Sequence, residues 1–260
     1  IAEGRYRDAY LVARAPNPFA SVCGRVCAAP CEDACRRGAI DAPVTIRALK
    51  RSVCERFGVE SVHPGTQDQL RGALVTEGNR FAGHLPVQPL ARQPAGGKRK
   101  VAVVGGGPAG FSAAHDLALL GYAVTVFEAS PEAGGMMRFG IPEYRLPRSV
   151  IQGEIEKIVA LGVTLKLGNG LGPGYGLAEL KREGFEAVFL SVGVQKGRDI
   201  QVPGVALDGV IKAVDYLLNA NRGFRLELGR RVVVIGGGFV AFDAARTALR
   251  LGREDEAASL

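Results

Sequence analysis

The spacing of apolar positions changes part-way along this chain. Between Thr45 and Cys54 they fall at Ile46, Leu49 and Val53, three and four apart, with Arg and Lys opposite. This predicts a helix with one buried stripe, with Cys54 beside it as a core thiol. Helical patterning also surrounds a group of cysteines earlier in residues 1–80. From Val101 the pattern becomes short, continuous apolar runs separated by glycine turns. The run 101–104 is of the kind buried on both faces of a parallel sheet. The runs 123–127, 163–167 and 187–190 predict further strands, and 108–120, 148–161 and 177–182 predict helices, the first stopped by Gly121. At Arg231 the layout restarts, with a strand expected over 231–235 and a helix over 239–251. Val101-Ala-Val-Val-Gly-Gly-Gly-Pro-Ala-Gly-Phe111 is repeated in kind by Val232-Val-Val-Ile-Gly-Gly-Gly-Phe-Val-Ala-Phe242.

The segment 84–97 is rich in Pro and Gly and has no periodicity, so it reads as a linker. The expected organisation is α/β: a helical domain over 1–83, a linker over 84–98, one nucleotide-binding domain over 99–204, and the start of another over 205–260.

Gly105, Gly107 and Gly110 follow an apolar strand and open a helix with Pro108 and Ala109. In that setting the first glycine permits a tight turn, the second lets backbone approach a pyrophosphate, and the third lets the helix pack close to the strand. The helix N-terminus would hold the phosphates, and Glu128, closing the next strand, would accept from a ribose hydroxyl. The following 128–147 segment is dense in Gly and Pro, including Gly135, Met136, Arg138, Gly140 and Ile141. It suits backbone running along a flat ring system, which favours FAD. Gly193 closes the run after the 187–190 strand.

The second loop, Gly236-Gly-Gly238-Phe239-Val240-Ala241, has the small residue Ala241 in third place and suits a nicotinamide dinucleotide. Asp243 and Arg246 fall in the helix behind it and are expected on an ordinary solvated face. The strand that should end in the ribose-reading residue is missing, because the 253–260 stretch is charged. With a start at Ile1 that has no initiator Met or secretory signal, we expect part of a longer subunit.

Four of the five cysteines form a ladder, Cys23-Gly-Arg-Val-Cys27-Ala-Ala-Pro-Cys31-Glu-Asp-Ala-Cys35, followed by Arg36 and Arg37. Thiolates ligate iron–sulfur clusters and structural zinc. Zinc sites commonly use two C-x-x-C pairs, which are absent, and the nearby cations suit an anionic cluster. The competing reading is a row of small buried thiols, with Cys27, Cys31 and Cys35 along one helix face. An odd cysteine count fits a reducing cytoplasm better than a disulfide framework. The net charge of +7 is scattered without aromatic interleaving, so it reads as solvated surface rather than a nucleic-acid face. No apolar run is long enough to cross a bilayer.

On these residues the chain resembles the glutamate synthase small (beta) subunit family, whose relatives include the N-terminal part of dihydropyrimidine dehydrogenase. The likeness is carried by Asn17-Pro-Phe-Ala-Ser-Val-Cys-Gly-Arg-Val-Cys27, Cys31-Glu-Asp-Ala-Cys35, Pro43-Val-Thr-Ile-Arg47, the first glycine loop, Gly140-Ile-Pro-Glu-Tyr-Arg-Leu-Pro147 and the 243–252 segment. It implies a helical domain with [4Fe-4S] clusters followed by tandem Rossmann-like FAD and NAD(P)-binding domains, the second incomplete here. It further implies hydride passing between NAD(P)H and FAD, and single electrons leaving through the clusters to a larger catalytic or electron-accepting subunit or a ferredoxin. By the same likeness Cys23, Cys27, Cys31 and Cys35 are cluster ligands. Gly105, Gly107, Gly110, Glu128 and 135–140 face FAD, and Gly236, Gly238 and Ala241 face the nicotinamide dinucleotide. No side chain is expected to act as acid or base. Phe239 stands where the family commonly has Asn, which leaves a non-catalytic docking or scaffold subunit as the alternative. A flavoprotein disulfide reductase would need a redox-active cysteine pair near the flavin, and no cysteine occurs after Cys54.

Overall fold

The computed structural model describes residues 1–61 and 99–258, with side chains to residue 252. The expected linker over 84–98 lies outside the described residues. The chain packs as two units, one comprising Ile1–Gly134 with Leu146–Val192, the other Gly135–Arg145 with Gly193–Leu260.

The first unit begins with α1 (Tyr6–Arg14), α2 (Ala20–Val26), the short α3 (Pro30–Asp33), a 3-10 turn (Arg36–Ala39) and α4 (Ile46–Phe57). The three longer helices close on Tyr10, Leu11, Ala20, Val53 and Cys54. The buried face of α4 is rotated from the expected stripe: Val53 and Cys54 are covered, while Leu49 is 39% exposed. The cause is close approach to α2, where a Cβ on Gly24 would lie 3.0 Å from Arg51 Cα. That contact sets the backbone of α4 at Arg51 against α2, with Val53 and Cys54 inward and the Arg51 side chain exposed.

Four parallel strands follow: β1 (Lys100–Val104), β2 (Ala123–Glu128), β3 (Thr164–Leu167) and β4 (Ala187–Leu190). Their order is β3-β2-β1-β4, with Val101 opposite both Val124 and Ala187. The helices α5 (Pro108–Leu119), α7 (Arg148–Val159) and α8 (Leu177–Arg182) stand within one or two residues of the expected spans. One sheet face buries Ala102, Val104 and Phe127 against Leu180 and Phe185. Val103 and Val126 project the other way, as alternation in a strand requires, and are fully buried too. The expectation that 187–190 is a buried strand needs correction. β4 is a margin of the described sheet, and Phe189 and Leu190 are exposed.

The second unit holds α6 (Met136–Phe139), α9 (Ala213–Asn221) and α10 (Phe239–Ala258). Tyr216 and Leu217 pack on Ala244, with Leu226, Leu228, Ala248 and Leu251 around them. Asn221 Nδ2 donates to the Phe139 carbonyl oxygen at 2.8 Å. The strand expected over 231–235 is not formed, and Val233 is 85% exposed. A strand needs neighbours to satisfy its N–H and C=O groups, and no strand of this unit stands among the described residues. The last helix runs beyond the expected 251, because Glu and Ala after Gly252 are good helix formers. Among the described residues no helix is long and apolar enough to cross a membrane.

Candidate cofactor sites

β1 ends at Val104 and the chain turns through Gly105, at φ +109, into α5. A Cβ at Gly105 would strike the Ser191 carbonyl oxygen, and one at Gly110 would strike the carbonyl oxygen of Gly105. Glycine is therefore required at residue 105 by a left-handed backbone close against the end of β4, and at residue 110 by contact between helix and turn. Pro108 has no N–H, and the N–H groups of Ala109 and Gly110 lie in the first turn, without intrahelical acceptors. Together with the helix dipole they form an end that attracts phosphate.

Glu128, the last residue of β2, is buried beside this turn. Gly106 N–H donates to its Oε2 at 2.7 Å and Ser130 N–H to its Oε1 at 2.8 Å. The carboxylate thus braces the loop, and each oxygen keeps a lone pair for a ribose hydroxyl. Ser191 also belongs here and no motif flagged it. Its Oγ donates to the carbonyl oxygens of Val104 at 3.0 Å and Gly105 at 3.1 Å. Only its position just past a strand end could have marked it. The turn sits between β1 and β4, where the strand order changes direction and open α/β sheets hold their ligands.

Gly135, Met136, Arg138, Gly140 and Ile141 lie in the second unit. Gly135, at φ +53, leads into α6, and its carbonyl oxygen accepts from Arg138 N–H and Phe139 N–H. Farther on, Arg145 Nη1 donates to Asp243 Oδ2 at 2.5 Å. The Arg145 guanidinium lies 5.7 Å from the Phe239 ring centre, and that of Arg250 lies 4.3 Å from the ring of Tyr144. The solvated face expected for Asp243 is corrected, since its carboxylate is buried in this ion pair. Arg246 is exposed as expected.

The second glycine loop keeps the first loop's turn without its sheet: Gly236 has φ +129, and Phe242 N–H donates to the Gly238 carbonyl oxygen. Gly236, Gly238, Phe239 and Val240 are exposed and Ala241 is half-buried. Gly193, at φ +71, is exposed with open space where a Cβ would stand.

The ladder cysteines do not share a helix face, which overturns the buried-row reading. α2 carries Cys23 and ends at Cys27, which is extended. Ala29 is left-handed at φ 57, Pro30 restarts the chain as α3, and Cys35 is extended again. Cys31 is exposed, and Cys23, Cys27 and Cys35 are half-buried. Backbone N–H groups point at the sulfurs. Ala29 N–H donates to Cys27 Sγ at 3.3 Å, and those of Val44, Arg37 and Gly38 hold the Cys35 thiol below its usual range. N–H groups aimed at sulfur are the surroundings of a cluster thiolate.

Among the described residues no three His, Cys, Asp or Glu side chains close around a single-ion position. A [4Fe-4S] cube spreads its ligands over a wider span, and this donor set of thiolates suits it. Arg47, at the start of α4, donates from Nη1 to the Cys27 carbonyl oxygen and from its backbone N–H to Glu32 Oε1, both at 2.7 Å. Cys54 is the expected core thiol, pushed up to about 12 chiefly by burial.

The ladder-bearing helices are fastened to the sheet by α7. Arg14 and Glu154, both fully buried, form an ion pair across 140 residues of sequence. Arg14 Nη1 also donates to the Pro18 carbonyl oxygen at 2.6 Å, and Ser21 N–H donates to Glu154 Oε1 at 2.9 Å. Lys157 Nζ donates to the Tyr10 hydroxyl at 2.9 Å. Burial lowers Lys157 to about 8 and raises Tyr10. The Phe19 and Phe111 rings meet edge-on with centroids 6.5 Å apart.

A parallel sheet with a phosphate-ready glycine turn and a braced acid, with a cysteine ladder ahead of it, defines a dinucleotide-binding domain that follows a cysteine-bearing helical segment. The chain belongs to the pyridine nucleotide-disulphide oxidoreductase family, which it matches over residues 99–257. Residues 1–61 match dihydropyrimidine dehydrogenase domain II, 4Fe-4S cluster. The chain is 43% identical, over 98% of its length, to the NADP(+)-dependent formate dehydrogenase subunit beta of Moorella thermoacetica, covering 36% of that protein. It is 32% identical, over 97% of its length, to the glutamate synthase [NADPH] small chain of Mycobacterium tuberculosis, covering 49% of it. Among solved structures it is similar to Mycobacterium tuberculosis FprA in complex with NADPH, with a TM-score of 0.51, 31% identity, and coverage of 57% of this chain and 36% of that one. The chain therefore spans about a third to a half of the length of these relatives.

Proposed function

We propose that this chain is the electron-transfer part of an NAD(P)H-dependent oxidoreductase, working with a larger catalytic or electron-accepting subunit or a ferredoxin. The observation that carries it is the Gly105 to Gly110 turn braced by Glu128, in the same packed unit as the cysteine ladder. When the cofactors are bound, FAD supplies hydride exchange with the nicotinamide and single-electron exchange with a [4Fe-4S] cluster.

The residues then bind and orient. Ala109 and Gly110 N–H groups receive the FAD pyrophosphate, Gly107 leaves room for it, and Glu128 accepts from the ribose. Gly135, Met136, Arg138, Gly140, Ile141 and Gly193 are assigned to the flavin cofactor. Gly236, Gly238, Phe239, Val240 and Ala241 are assigned to NAD(P)H, and Cys23, Cys27, Cys31 and Cys35 to the cluster. The relatives' names, a subunit beta and a small chain, support a partner. The grouping of four of the five cysteines in one short stretch supports a cytoplasmic setting. No side chain is required as acid or base.

The test is anaerobic addition of NADPH, and of NADH in parallel, to the flavin-containing full-length protein. Loss of flavin absorbance is expected, and persistent oxidised flavin with both would sink the proposal. The exposed Phe239 at the entry to α10 favours one second reading, a docking subunit without turnover. Full occupancy by both FAD and a nicotinamide dinucleotide would remove it.

A further inference from the structure

We propose that Arg47 is a positioning residue for the iron–sulfur cluster, clamping the Cys27 to Cys31 arm of the ladder and favouring the reduced cluster through its fixed charge. This rests on the reading of the ladder as a ligand set. The two bonds of Arg47 land on opposite sides of the left-handed Ala29. Its guanidinium holds the Cys27 carbonyl oxygen before the bend, and its backbone N–H holds the Glu32 carboxylate, next to Cys31, after it. The residue flanking the helix, Thr45, makes no side-chain cap bond, and the first-turn N–H of Arg47 is taken by Glu32 of the ladder instead.

The bonds of Arg47 explain position, and its charge has a separate effect. The guanidinium is bonded to a neutral carbonyl, and no ion pair with Arg47 occurs among the described residues. It stays charged at any working pH. Reduction adds one negative charge to a cluster, so a nearby cation favours the reduced form, working against the Glu32 carboxylate that the Arg47 backbone N–H holds. Because Arg47 is exposed, water and salt damp the effect without removing it.

The experiment compares full-length wild type with Arg47→Lys, Arg47→Gln and Arg47→Glu. Iron and acid-labile sulfide are measured, cluster potentials are followed by EPR during redox titration, and flavin content and melting temperature report on the fold. The expected result is a potential that falls in the order Arg, Lys, Gln, Glu, with iron lost first from Arg47→Gln and Arg47→Glu while flavin content and melting hold. Iron content and potential that ignore the charge at this position would overturn the proposal alone. Absence of iron and sulfide from the wild type would overturn the ligand reading and this inference with it.

Discussion

Arg145 and Asp243 stand 98 residues apart in sequence, yet their charged groups meet at 2.5 Å. This bond ties the segment after α6 to the start of α10, the helix that opens from the second glycine loop. With Asp243 nearly fully buried and Arg145 24% exposed, Asp243→Ala strands a partly solvated cation. The cost should be about 1–3 kcal/mol, below that of a fully buried pair. If the pair steadies the loop, NADPH affinity should drop about tenfold, which corresponds to ~1.4 kcal/mol. Thermal melting and fluorescence titration measure the two effects, and wild-type values in both would contradict the assignment.

The Arg14 and Glu154 pair predicts an asymmetry between single and double variants. Glu154→Leu leaves a buried guanidinium without its partner and should cost about 3–5 kcal/mol. Combining it with Arg14→Met removes both charges and should recover much of that loss. Urea unfolding of the three proteins decides the matter. A double variant as unstable as the single one would mean that the pair itself, rather than the stranded charge, carries the energy.

Alkaline stability should depend on two opposed groups. Lys157, lowered to about 8 by burial, has released its proton in the folded chain while the unfolded chain still holds one. Its contribution to stability therefore rises with pH from about 8 until the unfolded lysine also titrates. Cys54, raised to about 12, keeps its proton after the unfolded thiol has lost its own, near about 8.5. Its contribution falls with pH over that range, and the raised Tyr10 hydroxyl adds a further fall beyond about pH 10. Lys157→Met should thus lose stability more steeply than wild type between pH 8.5 and 10 (approximate bounds from these values), and Cys54→Ala less steeply. Denaturant midpoints across that interval check both, and equal slopes in all three proteins would be the failing result.

Gly110→Ala should abolish flavin retention, because its Cβ would collide with the Gly105 carbonyl oxygen that defines the turn. Gly162→Ala is the control. It has a positive φ but open space around it, so it should cost about 1–2 kcal/mol of backbone strain and keep its flavin. The flavin-to-protein absorbance ratio after desalting distinguishes the two.

The first unit was largely legible in the sequence because its signals are local. Val101 to Val104 is a continuous apolar run ending in glycine, and Glu128 sits where the next such run stops. Cys54 was legible as a core thiol from its place beside one helical stripe. The ladder's bend was not, since Ala29 takes a left-handed backbone with no glycine or asparagine to announce it. The Arg14 and Glu154 pair was hidden for another reason: periodicity reads charged residues as outward-facing, and only tertiary packing brings these two together. The 231–235 stretch has the composition of a strand, but composition cannot supply the neighbour against which a strand forms.

The left-handed Ala29 has a consequence for the shape of the ladder. Holding alanine there costs about 1–2 kcal/mol, so the bend has to be held by the contacts around it. Helical order is interrupted between Cys27 and Cys31. The two thiols therefore lie on either side of a crease in the chain, and the spacing between them is set by that crease and not by the rise of a continuous helix.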